Sequence, residues 1–286
     1  MVETVARHDV DSGNAARDVE SLVRILGKRL SDDELSAWRL SGAATTSLIM
    51  AEKRGLLDPV AEELETWEAY VTAMQTSSAV FAALTAEGNS VECRIGDEVR
   101  SVSTTDPQHF TDAGAWLNAF WLAVVCRERG RLDMLSAVSV DALRASGAEF
   151  DEYIYAWVEA LQAFWAERPE LGEKLAEAIE GTDPDVAVIA GRELVLELLY
   201  PPIGAFFQFV QRDVEAFNEA LAEGLELHRR YWTADEERAA DCDGFVALAL
   251  LGVACLAYDA GMPVELDSEY LPKHLLLRSW VGEFAT

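Results

Sequence analysis

Apolar residues recur along this chain at spacings of three and four, so helices are the predicted element almost throughout. Residues 15–30 place Val19, Leu22, Val23, Leu26 and Leu30 on one face. Ser31-Asp32-Asp33-Glu34 has the form of a capping box, with Ser31 at the N-cap. It predicts a second helix running to Arg54 and stopped by Gly55. Asp58-Pro59 reads as a cap with proline at the first helical position. The third helix then runs to Ala86, with Val60, Leu64, Trp67, Val71 and Met74 inward.

Residues 90–103 change period. Val91, Cys93 and Ile95 alternate with polar residues, then Gly96-Asp97 leads to Val99, which predicts a small β-hairpin. Asp106-Pro107 opens a loop or a helix start, and residues 113–129 form an apolar helix ended by Gly130. Helices follow over 148–167, 169–180 and 183–199, the last opened by Asp183-Pro184. Pro201-Pro202 predicts a break, because proline lacks the N–H and restricts its predecessor. A long helix spans 205–232, and Asp241 to Gly244 is a turn and cap for an apolar helix over 245–260. Gly261-Met262-Pro263 stops it, Val264 to Leu266 reads as a short strand, and a tail covers 268–284. The fold class expected is all-α: an irregular multi-helix bundle, or a solenoid-like array of helical hairpins, with one β-hairpin. No fixed-period repeat or low-complexity linker divides residues 1–286, so a single domain is expected.

Composition narrows the function classes. The 286 residues include 51 Asp and Glu against 23 Lys and Arg, a formal net charge of −28, yet half are hydrophobic. That combination excludes a disordered acidic chain. The charge argues against direct nucleic-acid contact and against anionic membranes. Cys93, Cys126, Cys242 and Cys255 are irregularly spaced, with no CxxC, so no disulfide framework is expected; Cys126 and Cys255 fall in apolar runs as core residues. No secretory signal is visible between Met1 and Asp11, and the uncharged run Gly244 to Tyr258 is short for a bilayer. A soluble, cytoplasmic protein is expected.

Candidate chemistry is thin. His8, His109, His228 and His274 are scattered, and Glu226 and His228 are two apart, on different helix faces. There is no HExxH, GxSxG, GxGxxG or Walker loop. Asn218, Ala222 and Glu226 have the spacing of a helical magnesium triad, but Ala222 offers no oxygen. No catalytic residue, metal or cofactor is therefore expected. Of the eight tryptophans, Trp67, Trp116, Trp121, Trp157 and Trp165 sit in apolar stripes, whereas Trp38 and Trp280 are unplaced.

The carboxylates remain. Glu215, Glu219, Glu223 and Glu226 form a stripe on one helix face. Further clusters are Glu62, Glu63, Glu65 and Glu68; Glu149, Asp151 and Glu152; and Asp235, Glu236 and Glu237 with Asp241 and Asp243. Such a field attracts a basic partner and speeds its association. The candidate partner-binding residues are Glu215, Glu219, Glu223, Glu226, Asp235, Glu236 and Glu237. An inhibitor or antitoxin is one reading. An unrecognised small-molecule enzyme with an interhelical pocket, and a regulatory helical scaffold, are the alternatives.

Within 228–272 the order His228-Arg-Arg-Tyr231-Trp232, then Asp243-Gly-Phe to Asp259-Ala-Gly261-Met-Pro263, then Tyr270-Leu-Pro272 resembles the immunity protein 49 family of bacterial polymorphic toxin systems. The resemblance implies an all-α cytoplasmic protein that binds and neutralises a toxin encoded beside it, and it supplies no catalytic residues. The motif residues themselves read as structural. His228, Tyr231 and Trp232 end a long helix, where a histidine suits the dipole. Asp243 caps the next helix, Asp259 and Gly261 close it, and Pro263, Tyr270 and Pro272 fix the tail.

Overall fold

The computed structural model describes residues 3–32 and 34–283, so Met1, Val2, Asp33 of the predicted capping box and residues 284–286 lie outside the described residues. Among the described residues 61% are helical, with a few short strands. Its contacts divide it into two compact units, Ser12–Ala148 with Trp280–Thr286, and Met1–Asp11 with Glu149–Ser279.

The first unit is built on α1 (Ala15–Arg29), α2 (Ala37–Leu57), α3 (Leu64–Thr85) and α4 (Ala113–Cys126), followed by short α5 (Arg129–Ser136) and α6 (Val140–Arg144). Strand β2 (Glu34–Leu35) runs parallel to β4 (Glu98–Ser103), and β4 pairs antiparallel with β3 (Ser90–Ile95). The β3–β4 hairpin turns at Gly96-Asp97, with Ile95 opposite Glu98 and Gly96 at φ +64°, as the sequence predicts. Helix α3 is the centre of this unit and is buried on nearly every side, polar residues included. Several of those polar groups find partners: Ser47 and Thr76 share a 2.7 Å hydrogen bond, Ser78 Oγ donates to the Met74 carbonyl, and Gln75 Oε1 accepts from the Gly96 amide at 2.7 Å, while Gln75 Nε2 is buried without a hydrogen bond. Arg131 ties the hairpin to α3. Its guanidinium donates to Ser78 Oγ (2.7 Å), the Arg94 carbonyl (2.9 Å) and the Gln75 carbonyl (3.3 Å).

The second unit contains α7 (Glu152–Trp165), α8 (Leu171–Gly181), α9 (Arg192–Leu194), α10 (Tyr200–Gln211), α11 (Val214–Trp232), α12 (Glu236–Ala239), α13 (Leu248–Asp259) and α14 (Lys273–Leu276). Strand β1 (Glu3–Thr4) pairs in parallel with β5 (Leu266–Asp267), which falls one to two residues past the strand expected at 264–266. Phe164, Phe206, Phe209 and Trp157 form an edge-to-face aromatic core between α7 and α10.

Several predicted boundaries are corrected. The N-cap of α2 is Ser36, accepting from the Arg39 amide, because Glu34 is drawn into β2; Gly55 is interior to the helix. Asp58 does not start α3. Its carboxylate instead accepts from the Glu62 and Glu63 amides and closes the 58–63 loop. Helix α4 ends at Arg127 (φ +56°), not at Gly130, which lies inside α5. Asp183-Pro184 opens no helix; residues 183–191 are irregular and α9 starts at Arg192. The Pro201-Pro202 break is absorbed. The helix widens into one π-turn at Val195–Leu199, and the prolines occupy the first turn of α10, where their missing N–H groups cost least. The single helix over 205–232 is two, interrupted at Arg212 (φ +60°) and recapped by Asp213. On α1 only Leu26 of the predicted face is fully buried, and Val23 is exposed.

Core assignments fare better. Trp67, Trp116, Trp121, Trp157, Cys126 and Cys255 are buried, Trp165 is half-buried, Trp38 is 67% exposed, and Trp280 donates from Nε1 to the Ala61 carbonyl. All four cysteines are free thiols. Among the described residues two helical stretches, Arg192–Gln211 and Cys242–Asp259, are long and apolar enough to cross a membrane; 61% of the second is buried inside the fold, as for a core helix, against 39% of the first.

Removing the Arg131 guanidinium unties the hairpin. Arg131→Ala is expected to lower stability by about 2 kcal/mol or more, since hydrogen bonds from a charged donor each contribute about 1.5–3 kcal/mol. Urea denaturation measures the loss, and amide exchange should accelerate first across residues 90–103.

Candidate partner-binding surface

Helix α11 starts at Asp213, whose carboxylate accepts from the Ala216 amide. Phe217, Leu221, Leu225 and His228 face inward, so the other side carries Glu215, Glu219, Glu223 and Glu226, all exposed. The predicted stripe is real as a surface. Glu226 pairs with Arg229, while among the described residues no ion pair engages Glu215, Glu219 or Glu223. Asp235, Glu236 and Glu237 are also exposed, on the turn that begins α12. Asp235 is engaged locally. It caps α12 through the Arg238 amide at 2.9 Å and pairs with the Arg238 side chain at 3.5 Å. Arg238 also lies over the Tyr231 ring, 4.3 Å from its centroid, and reaches Glu193 at 3.0 Å.

An open groove of about 810 Å³ runs beside the stripe. Its walls are Arg7, His8 and Asp9 from the N-terminal segment and Glu223, Glu226, Arg229 and Arg230 from α11. Charges of both signs line it. Its histidine is committed elsewhere: His8 Nε2 lies 3.2 Å from the Ala239 carbonyl and so must carry the proton, leaving Nδ1 to accept from the Tyr270 hydroxyl at 2.8 Å.

The motif residues assemble beneath this surface. Tyr270 is fully buried; its oxygen accepts from the His8 backbone N–H at 3.1 Å, and its carbonyl accepts from the Ala247 amide. The His228 ring stands edge-on to Tyr270 at 4.8 Å between centroids and donates from Nε2 to the Gly244 carbonyl at 3.1 Å. Gly244 is required there, because a Cβ would fall 2.7 Å from Trp232 Cγ. Trp232 in turn meets Tyr231 edge-on at 5.3 Å. Gly261 at φ +75° closes α13 in a Schellman motif, its amide donating to the Tyr258 carbonyl and the Met262 amide to that of Ala257. Asp259 lies 3.9 Å from Arg278, and the buried Pro272 opens α14, its carbonyl accepting from the Leu275 and Leu276 amides.

Two motif assignments change. Asp243 does not cap α13, which has no side-chain cap; Asp241 caps the short turn before it by accepting from the Asp243 amide. His228 is no cation at a helix end. Burial drives its pKa down to about 4, the Gly244 hydrogen bond only partly opposing, so it is neutral. Two further residues carry the arrangement without a legible signal. Asn218 clamps α11 to the tail, donating to the Pro263 carbonyl (3.0 Å) and accepting from the Glu265 amide (2.7 Å). Asp151, expected in a surface acidic cluster, is buried and accepts from the Val188, Ile189 and Ala190 amides at 2.7, 3.0 and 2.8 Å. Burial alone would raise its pKa, but those three donors hold it below the ordinary aspartate value.

Comparison with known families places this architecture. The immunity protein 49 family matches residues 58–275, about three quarters of the chain. The chain belongs to the immunity protein 49 family. The match begins some 170 residues before the motif that carries the sequence resemblance, in helices whose apolar periodicity alone is not distinctive. Neither the curated proteins nor the solved structures yielded a match. Membership makes this an immunity protein and implies a cognate toxin as its partner.

The neutral histidines make a pH prediction. Both His8 and His228 have lowered pKa values in the folded state, burial being the main cause. The unfolded chain therefore binds protons first as pH drops below the ordinary histidine value of about 6.5. Stability is fully present above that value and falls toward pH 4, with His228 alone accounting for about 3 kcal/mol. Thermal melts between pH 8 and 4 should show the drop, and His228→Gln should flatten it. Gly244→Ala should cost about 1–3 kcal/mol by forcing Trp232 aside, read from the same melts.

Proposed function

We propose that this protein neutralises a cognate basic, nuclease-like toxin in the cytoplasm by forming a stoichiometric complex, without performing a reaction. The observation that carries the reading is the exposed carboxylate stripe of α11 in a chain of net charge −28. Proteins that act on nucleic acid need a cationic face for phosphate, and that face complements this one. The side chains of Glu215, Glu219 and Glu223, which no ion pair engages among the described residues, are available to a partner's lysines and arginines. The mixed groove beside the stripe suits a protein contact better than catalysis, since its histidine already serves Tyr270 and Ala239.

Co-expression with the toxin genes neighbouring this one tests the reading: protection and a one-to-one complex are expected, and the absence of both for every neighbouring toxin overturns it. Charge reversal at Glu215, Glu219, Glu223 and Glu226 should slow association about tenfold or more and flatten its salt dependence, with little change in dissociation. Stopped-flow kinetics at two ionic strengths check this. Unaltered association rates would remove the stripe from the interface.

A further inference from the structure

The apolar surface of the second unit is concentrated where the sequence predicted a helix. Residues 183–191 instead form a loop whose tip exposes Val188 (84%), Val186 (59%) and Ile189 (53%). Exposed apolar side chains on a loose loop would fold inward or fluctuate. Here the buried Asp151 carboxylate takes the three successive amides of 188–190 and fixes the backbone with those side chains outward. The base is held as well, the Asp183 carbonyl accepting from the Val186 and Ala187 amides. Beyond the loop, the π-turned helix leaves Leu194, Leu196, Leu198 and Leu199 half-buried and Tyr200 exposed. A groove of about 500 Å³ opens between Ile179, Pro184, Leu196 and Tyr200.

We propose that this loop and groove form the apolar anchor by which the toxin is held; the proposal rests on the immunity reading above and names its surface. The occupant is a toxin segment presenting apolar side chains between lysines or arginines. Charge complementarity selects it: Glu180, Asp183 and Asp185 are exposed around the groove and the loop, and no ion pair engages them among the described residues. The ion pairs Arg238–Glu193 (3.0 Å) and Arg230–Glu197 (2.8 Å) seat the acidic 235–237 turn and the end of α11 against the start of the same helix. The anchor is thus continuous with the predicted acidic cluster, giving an apolar centre with a carboxylate rim, the layout of a stable protein interface.

The test uses the full-length protein and the toxin identified by co-expression, in a catalytically inactive form. The variant V186S/V188S/I189S changes no charge and removes only exposed side chains, so its melting temperature is expected to stay close to that of the parent. Surface plasmon resonance should show Kd rising about 30-fold or more, almost entirely through faster dissociation. Asp151→Asn, which weakens the clamp while keeping the apolar tip, should raise Kd by a smaller factor. An unchanged Kd in the triple variant overturns the anchor and leaves the immunity reading standing; a wild-type protein that binds no neighbouring toxin overturns both. Two controls separate other occupants. Sedimentation showing a wild-type dimer that the triple variant abolishes would assign the surface to a second copy. Flotation with phosphatidylglycerol–phosphatidylethanolamine vesicles, lost in the same variant, would assign it to lipid. Either result overturns the proposal.

Discussion

The hydroxyl of Tyr270 is shut away from water, so both of its hydrogen-bonding roles have to be filled from within the protein, and His8 fills both. The backbone N–H of His8 gives a proton to the tyrosine oxygen, and the tyrosine proton goes to His8 Nδ1. That exchange fixes the N-terminal segment beside α11. The edge-on contact with His228 then sets the end of α11 against the Gly244 turn, where only hydrogen leaves room for Trp232. His8, His228 and Tyr270 are polar and all three are buried. Losing one leaves another unsatisfied at about 1–3 kcal/mol, so the cluster holds one arrangement rather than a range of near-equivalents. The surface-bearing helix is positioned by this cluster, not by the charges it displays.

The helical class, the Gly96-Asp97 hairpin and most of the tryptophan core were legible in the sequence, because each depends on local periodicity or on a single turn geometry. Boundaries failed where distant groups intervened. Ser31 lost its cap to Ser36 because the chain between them pairs with β4, a partner more than sixty residues away. The double proline failed as a break because a π-turn accommodates two missing donors, and no sequence rule anticipates that. His8, Asn218 and Asp151 were invisible as structural hubs for the same reason. Their long-range partners lie between 37 and 262 residues away, and an isolated polar residue carries no mark of what it will meet.

The excess of carboxylates sorts by side-chain length. Asp112, Asp213, Asp235 and Asp241 cap helices or turns, and Asp58 and Asp151 hold loops by accepting backbone amides. One methylene lets the carboxylate fold back onto its own chain or a neighbouring loop. Glutamate reaches too far for that and gains nothing from the backbone in mid-helix, so Glu215, Glu219 and Glu223 point outward. These six aspartates are thus committed to architecture, whereas the exposed stripe of α11 is all glutamate.

That division explains why charge and apolar surface need not coincide. A stripe of solvated glutamates accelerates encounter, but each exposed ion pair it forms contributes only about 0–1 kcal/mol, and salt screens it. Durable inhibition of a toxin demands slow dissociation, which comes from apolar side chains in a pocket that excludes water. A loop that displays valine and isoleucine to solvent at its tip is costly for an isolated protein, because it forgoes their burial and enlarges exposed apolar area. Fixing that loop with a buried carboxylate adds the cost of desolvating Asp151. The three amide hydrogen bonds more than offset that desolvation, since they hold the Asp151 pKa below the ordinary value. The exposure of the apolar tip is the cost that remains, and it is offset if a partner covers it, since a backbone already ordered loses little entropy on binding.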